Sequence, residues 1–360
     1  MRSMGKRTDY LLTRQAKIVA CTVTHAALAR QRLIKLGFTY DSIVVEEAGQ
    51  MLEVENFIPL LLQKGEAGGS RLKRVCLFGD HHQLPPIIKN RTLSAKANMD
   101  MSFFARMVKL GIKHYTLDSQ GRARDEISKL YGWRYGGLAS LDCVGEGAYE
   151  KANAGFLHNF QMVDVPDFEG KGEHAPTPHY IQNLGEAEYV VAVFQYMVLI
   201  GYDPRRISIL TTYNGQKDLI KDVLQSRCSN RIFGTMPTVS TVDKYQGQQN
   251  DFILLSLVRT KHVGHLRDVR RLVVALSRAK LGLYVFCRKA NFERCGDLQH
   301  SLELLAKNGD GKLELVTGEG YGAVERKSGE EPEECKKFVC DSLVSLGRVV
   351  HDLQSMVLQG

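Results

Sequence analysis

Ile43-Val44-Val45-Glu46-Glu47 is a short apolar run that ends in two adjacent acids. A second run of the same kind, Arg74-Val75-Cys76-Leu77-Phe78, ends in Gly79-Asp80. Apolar residues at helical spacing precede and separate the two runs, over 25–36 and 51–63. Short apolar strands that alternate with helices are typical of an α/β protein whose parallel sheet is buried on both faces. We therefore predict two buried strands here, with polar residues at the carboxyl ends, where such sheets bind ligands.

The alternation of strands and helices continues beyond a glycine-rich stretch from Gly132 to Gly147. Strands are predicted over 17–22 near the start of the chain and over 206–211, 238–242, 252–258 and 281–287 in the second half. Helices are predicted over 187–200, 215–224 and 269–278. Two domains, 1–135 and 136–290, follow from this arrangement, with a boundary near residue 135.

The last part of the chain, 291–360, has a different character. Asn308 to Gly329 is rich in glycine and charge, which predicts a linker. Pro332 is expected to open an amphipathic helix, because apolar residues recur after it at three- and four-residue spacing. These are Cys335, Val339, Leu343, Leu346, Val350, Leu353 and Val357. A helix that docks on the body of the protein is favoured over one that binds a partner.

Composition limits the class of protein. The 360 residues carry a formal net charge of +8, which suits a polyanionic partner such as nucleic acid. None of the eight cysteines forms a C-x-x-C pair, and several lie in apolar runs, so we expect buried reduced thiols and a reducing compartment. No run of about 18 apolar residues is present, so no segment is predicted to span a membrane.

The two strand ends offer groups for phosphate chemistry. Nucleotide hydrolysis needs one carboxylate near the magnesium ion and another that orients the attacking water, and Glu46-Glu47 supplies two. A surface turn is the alternative interpretation of this pair. Gln83, in Gly79-Asp80-His81-His82-Gln83-Leu84-Pro85-Pro86, can hydrogen-bond both a phosphate oxygen and a water. The two histidines of this loop have no further ligand spaced with them, which disfavours a metal site.

V-x-E-E-A-x-Q followed by G-D-x-x-Q-L-P-P resembles motifs II and III of superfamily-one helicases, in the branch that contains the nonsense-decay helicase. Later stretches resemble further motifs of this family, in the same order: Leu117 to Arg122, Thr241 to Asp251 and Arg271 to Lys280. The stretches S-Q-G-R-A-R, V-D-K-Y-Q-G-Q-Q-N-D and L-L-S-L-V-R-T are similar to spliceosomal members of this family.

This resemblance implies two RecA-like α/β domains with ATP and Mg²⁺ in the cleft between them, followed by a helical tail. It implies an ATP-dependent RNA helicase of the nucleus that acts in pre-mRNA splicing, with the pre-mRNA intron and spliceosomal proteins as partners and no membrane.

The family's catalytic roles carry over to single positions. Glu47 matches the catalytic acid, and Gln83 matches the sensor of the γ-phosphate and the water. Arg122 and Arg278 match two arginines that reach the phosphates, which a guanidinium fork can meet bidentately. Glu46 stands where the family has the aspartate that coordinates magnesium, directly or through water. A surface arginine at a helix end is the alternative interpretation of Arg278.

The resemblance also implies binding residues. Those expected near the nucleotide are Glu46, Gly79, Asp80, Gln120, Gly247 and Gln249. Those expected at the RNA backbone are Thr241, Gln246, Tyr213 and Asn214, and contacts of this kind do not read base sequence.

The chain also departs from the family pattern. It has no G-x-x-x-x-G-K-S/T stretch, whose amides and lysine cradle phosphates. We therefore expect a carboxy-terminal segment that begins after this loop, with a truncated first domain and weak affinity for ATP. Glu46 is longer than the usual aspartate, Gly121 stands where relatives have an aromatic residue, and Gln249 stands where many have glutamate.

Two other functions stay open at this point. The first is a non-catalytic module that binds RNA or spliceosomal proteins, which the missing loop favours for this chain alone. The second is a DNA helicase of the same branch, because these motifs do not separate RNA from DNA. Glu47, Gln83, Arg122 and Arg278 favour the enzyme, since a binding module has no need for arginines directed at phosphates.

Overall fold

The computed structural model describes residues 11, 13, 15–63, 71–88 and 90–359. It divides into two compact units, residues 1–116 and 117–360. The division lies earlier than the predicted boundary near residue 135. Residues 117–135 belong to the second unit, where the Arg124 amide donates to the Lys280 carbonyl at 3.0 Å. The segment 291–360, predicted as a separate part, also belongs to this unit.

The first unit includes four α-helices and two strands whose bounds lie within its described residues. The helices are α1 (Val23–Lys35), α2 (Glu53–Leu60), α3 (Arg91–Ala97) and α4 (Phe103–Lys109), and the strands are β1 (Ser42–Val45) and β2 (Arg74–Leu77). Thr22 caps α1 by accepting the His25 amide, and Gly37 follows with a φ of 64°, so the predicted helix is confirmed. The strand predicted over 17–22 is wrong, because those residues lie outside any strand.

β1 and β2 pair in parallel, from Ser42 opposite Arg74 to Val45 opposite Leu77. Both strands were predicted, but their burial was not predicted correctly. Val44 is 67% exposed and Phe78, just after β2, is 60% exposed. Cys76 is exposed as well, contrary to the expected buried thiol. Within the described residues this sheet has only two strands, too few to bury both faces.

The second unit has the remaining elements. Its helices are α5 (Asp125–Gly132), α6 (Leu184–Leu199), α7 (Asn214–Arg227), α8 (Val242–Tyr245), α9 (Val269–Leu276), α10 (Lys289–Phe292), α11 (Gln299–Ala306) and α12 (Leu343–Gln359). Its strands are β3 (Ser119–Gln120), β4 (Ala139–Ser140), β5 (Phe160–Asp164), β6 (His174–Thr177), β7 (Tyr180–Gln182), β8 (Ile207–Thr211), β9 (Thr238–Thr241), β10 (Asn250–Ser256), β11 (Ala279–Cys287), β12 (Leu313–Val316) and β13 (Lys337–Cys340).

A five-stranded parallel sheet in the order β5-β11-β10-β8-β9 forms the centre of this unit. Phe252 and Leu254 of β10 join a core that includes residues of α6, α7 and α12. Ile253 and Leu255 point to the opposite face and are also fully buried. Burial on both faces explains the continuous apolar strands, and the predicted α/β fold is confirmed.

The carboxy-terminal segment differs from its prediction in two respects. The expected linker contains β12, which pairs antiparallel with β13 from Leu313 opposite Cys340 to Val316 opposite Lys337. The expected helix begins at Leu343 and not at Pro332, because residues 337–340 pair with β12 in place of continuing a helix. α12 packs along α6 and buries Leu346 and Val350, as the docking interpretation predicts. None of the described helices combines the length and apolarity that crossing a membrane requires.

Candidate nucleotide and nucleic-acid sites

In the first unit, the loops that follow β1 and β2 lie against each other. Val45 and Leu77 are register partners, so both loops leave the sheet at the same edge. The Ala48 amide donates to the Phe78 carbonyl at 2.7 Å. A Cβ added to Gly79 would lie 2.7 Å from the backbone nitrogen of Gly49, so this approach requires glycine at position 79. The predicted neighbourhood of the acidic loop and the Gly-Asp loop is present.

Glu46 and Glu47 have different environments on this loop. Glu47 has a left-handed backbone with a φ of 53°, and its carboxylate accepts a hydrogen bond from the side-chain Nε2 of Gln50 at 2.7 Å. Glu46 is exposed. Gln50 therefore orients one carboxyl group, while the neighbouring one faces solvent.

Asp80 organises the second loop. Its carboxylate oxygens accept the His82 backbone amide and the Gln83 Nε2, each at 2.8 Å. The Gln83 side chain is thus held by the residue that ends the Gly-Asp pair. The rings of His81 and His82 contact each other at a tilt of 37°, with centroids 4.2 Å apart. No group of three histidine, cysteine or acidic residues suited to a metal ion occurs in the described part of the chain.

In the second unit, Arg122 and Arg278 meet at Ser277. Nη1 of Arg122 donates to the Ser277 carbonyl at 3.1 Å, and Nη2 of Arg278 donates to the Ser277 hydroxyl at 2.7 Å. Gln120 holds the Arg122 loop, because its Oε1 accepts the Arg122 and Ala123 amides at 2.8 Å each. Residues that are far apart in the sequence, 120–122 and 277–278, are thereby brought together.

Arg278 is buried, with 1% of its surface exposed. Nε donates to the Val274 carbonyl at 2.9 Å, and Nη1 donates to the Gln248 carbonyl at 3.1 Å. The guanidinium therefore connects the end of α9 to the loop 246–249. This loop contains the predicted binding residues Gln246, Gly247 and Gln249. The surface-arginine interpretation is wrong. Contact with a phosphate requires this loop and the arginine to rearrange.

The predicted RNA-binding residues gather at the carboxyl edge of the five-stranded sheet. Thr241 ends β9 and pairs with Thr211 of β8, which pairs with Ser256 of β10. Asn214 begins α7 just after β8, and Gln246 follows α8. Gly247 and Gln249 in that loop are exposed.

Two of these residues are less accessible than their predicted role requires. Thr241 is 6% exposed and Tyr213 is 4% exposed. Tyr213 stacks on His265 with ring centroids 4.5 Å apart, and its hydroxyl accepts the His265 amide at 3.1 Å. Its ring is therefore occupied within the protein. Asn214, Gln246 and the backbone of this edge are the more accessible contacts.

Glu186 is a buried residue near this edge that the sequence did not indicate. It lies in the first turn of α6, is 0% exposed, and burial raises the pKa of its carboxyl to about 8. Its Oε2 accepts the Ser256 hydroxyl at 2.6 Å and the Val258 amide at 2.8 Å. Asn183-x-x-Glu186 has the form of a helix cap, a signal that could have located the residue but not its contacts across the sheet.

The described residues fit a magnesium nucleotide in part. Exposed and half-exposed carboxyl groups at 46 and 47 have the oxygen chemistry that a hydrated magnesium ion takes. Gln83 and the arginines have the donors that phosphate oxygens take. The chain has no G-x-x-x-x-G-K-S/T stretch, the segment whose backbone amides usually bind nucleotide phosphates.

Two family models, each described as an AAA domain, match the chain at residues 2–91 and 99–290. The second match alone covers more than half of the chain, and the chain therefore belongs to this family.

Individual relatives narrow the comparison. The mouse RNA helicase aquarius is 54% identical over 334 residues, which is 92% of this chain and 22% of the relative. The fission yeast pre-mRNA-splicing factor cwf11 is 30% identical over 96% of this chain and 26% of its own length. The mouse NFX1-type zinc finger-containing protein 1 is 34% identical over 79% of this chain and 14% of its own length. The predicted resemblance to superfamily-one helicases, and to a spliceosomal member in particular, is confirmed. The chain spans about a quarter or less of the length of these relatives.

Proposed function

We propose that this chain is a motor segment of an ATP-dependent RNA helicase that acts in pre-mRNA splicing. The proposal rests on the meeting of Arg122 and Arg278 at Ser277. This contact places two guanidinium groups together, and Arg278 also hydrogen-bonds to the loop 246–249, which contains predicted nucleotide-binding residues. The names of two relatives, an RNA helicase and a splicing factor, support the RNA substrate and the process. They also support the nucleus as the location, with spliceosomal proteins as partners.

The chemistry proposed for the first unit is activation of water. Magnesium-bound ATP supplies the γ-phosphoryl group when it is bound. Glu46 would hold the magnesium ion, directly or through a water. Glu47, oriented by Gln50, accepts the proton of the attacking water. Gln83, held by Asp80, hydrogen-bonds that water and a phosphate oxygen.

The chemistry proposed for the second unit is stabilisation of charge. Arg122 and Arg278 donate to phosphate oxygens as negative charge shifts during phosphoryl transfer. Gln120 positions Arg122 through its backbone amide. Gly247 and Gln249 lie in the loop whose neighbouring carbonyl, that of Gln248, accepts from Arg278. Movement of this arginine toward a phosphate therefore changes the same loop that contains Gln246.

The proposed RNA contacts lie at the carboxyl edge of the five-stranded sheet. Asn214 and Gln246 offer polar side chains, and Thr241 and Tyr213 support the backbone at the ends of β9 and β8. Such contacts bind phosphates without reading base sequence. The net charge of +8 favours a polyanionic partner.

The proposed roles are tested by substitutions in an extended version of the chain. The extension adds a phosphate-binding loop at the amino end. Glu47→Gln or Arg278→Ala should abolish RNA-stimulated ATP hydrolysis while affinity for single-stranded RNA persists, which also reports that the protein is folded. Glu325→Gln and Arg294→Ala change exposed residues of the same charge and should leave turnover unchanged. Undiminished hydrolysis in Glu47→Gln or Arg278→Ala contradicts the roles.

A second candidate function is non-catalytic binding of RNA. The absence of a G-x-x-x-x-G-K-S/T stretch from this chain favours it for the chain alone. Under this function the 360 residues bind RNA, and neither they nor the extended version hydrolyses ATP.

A further inference from the structure

Val258 has a backbone conformation that its side chain disfavours. Its φ is 74°, in the left-handed region. The other described non-glycine residues with positive φ are Glu47, Asn98, Glu169, His179 and Asp310, none of which is branched at Cβ. A β-branched residue takes this conformation only where the surroundings impose it, and such residues concentrate at functional sites.

Two side chains of the α6 amino terminus impose it. Glu186 Oε2 accepts the Val258 amide at 2.8 Å and the Ser256 hydroxyl at 2.6 Å. Asn183 Nδ2 donates to the Val258 carbonyl at 3.1 Å. Both polar groups of the Val258 backbone are thus bound from α6. Glu186 and Val258 are 0% exposed, so water cannot replace these bonds.

The hydrogen bonds that Asn183 and Glu186 make with Val258 are called the clamp. The clamp lies at the carboxyl edge of the five-stranded sheet, where nucleic acid is proposed to bind. Ser256 is the last residue of β10 and occupies the same row as Thr211 and Thr241. The chain beyond Val258 continues to Lys261, which is exposed.

A second carboxylate fixes the outer part of this loop. Glu173 Oε2 accepts from Arg259 Nε at 2.9 Å and from the Thr260 amide at 2.6 Å. The backbone from 256 to 260 is therefore hydrogen-bonded from α6 and from residue 173, and Lys261 follows this segment directly.

We propose that Glu186 is a positioning residue for nucleic-acid binding, which fixes Val258 in the left-handed conformation so that the 259–262 loop presents Lys261 to a phosphate. This inference rests on the proposed function. Glu186 itself is buried and does not touch the nucleic acid. Its contribution is to bring the loop into its binding conformation before the nucleic acid arrives, which removes an ordering cost from association.

The test is the affinity of the whole 360-residue chain for a fluorescein-labelled single-stranded oligouridine, measured by anisotropy at several salt concentrations. Glu186→Ala should weaken binding about tenfold, the scale set by the cost of the left-handed conformation. It should also lower the slope of log K against log salt by about 0.7, the loss of one phosphate contact to a single strand. A variant that is only less stable binds with a lower active fraction and an unchanged slope.

Two further variants separate positioning from folding. Adding Val258→Gly to Glu186→Ala should recover most of the affinity and slope, because glycine adopts positive φ without the clamp. Glu188→Ala, two residues along α6, removes a glutamate that pairs with Arg227 and should bind like the wild type. If Glu186→Ala does not fold, Glu186→Asp shortens the side chain and should give a smaller loss of affinity and slope, again recovered by Val258→Gly.

An unchanged slope in the Glu186 variants, or the absence of recovery by Val258→Gly, overturns the positioning role. Failure of the wild-type chain to bind the oligonucleotide contradicts the proposed RNA binding itself, so the two failures are distinguishable.

Discussion

Glu186 and Arg278 have ionisable side chains that are almost completely buried. Burial favours the neutral form of a carboxyl group, and no cation pairs with Glu186 in the described contacts. The guanidinium of Arg278 donates to two backbone carbonyls and a hydroxyl. Both residues bind loops that are distant in sequence, so the structure of the loops depends on them.

A pH dependence of stability follows from Glu186. Its folded pKa is raised from 4.5 to about 8, so between these values the folded chain holds a proton that the unfolded chain has lost. The stability that this group contributes is fully present below about pH 4.5 and is lost as the pH rises through about 8. Glu186→Gln does not titrate, and its stability should rise relative to the wild type by about 1.4 kcal/mol per pH unit across this window. Urea unfolding of both proteins from pH 5 to pH 9 measures the difference, and a constant difference contradicts the assignment.

Some residue positions could be predicted from the sequence, and others could not. Resemblance to a family located Arg122 and Arg278, and the structure brings them together. The burial of Arg278 was not predictable, because it depends on the Gln248 carbonyl in a loop that has no periodic pattern. The resemblance also placed Tyr213 at the nucleic acid, but its stacking partner His265 lies 52 residues later in the chain, so the stacking could not be predicted.

Elements with strong periodicity and local signals were predictable. α1 is an example, because the apolar spacing over 25–36 predicted it, although its cap Thr22 was assigned to a strand. β13 was not, because Lys337 to Cys340 also fits a helical pattern of apolar residues. Pairing with β12, a non-local interaction, determines the outcome there. Apolar strands in the first unit predicted burial, but burial depends on neighbouring layers that a strand's own sequence does not specify.

The packing of α12 on α6 has a testable energetic consequence. Leu346 is fully buried in the core that α12 shares with α6. Leu346→Ala should lower the free energy of unfolding of the second unit by about 2–5 kcal/mol, through lost burial and the cavity that remains. Val344→Ala is the control on the same helix, because Val344 is 65% exposed and its truncation should change stability by less than about 0.5 kcal/mol. Equal midpoints in denaturant for the two variants contradict docking of the helix through Leu346.

At the scale of the whole molecule, the alternation of strands and helices was sufficient to predict an α/β protein with two compact parts. The position of the boundary between the two units could not be predicted from this alternation. Residues 117–135 bond Ser277 and Lys280, which lie much later in the chain. The order of the motifs located the groups proposed for phosphate chemistry on both units. The chain supplies two carboxyl groups, a glutamine and two arginines for this chemistry, but no cradle of G-x-x-x-x-G-K-S/T amides.

The most direct measurement is RNA-stimulated ATP hydrolysis by the 360-residue chain, beside a version extended at its amino end to include a phosphate-binding loop. The account predicts that the extended version hydrolyses ATP and is stimulated by single-stranded RNA, while the chain alone binds RNA with little or no turnover. If both versions bind RNA and neither hydrolyses ATP, the motor assignment is contradicted and the protein is an RNA-binding scaffold.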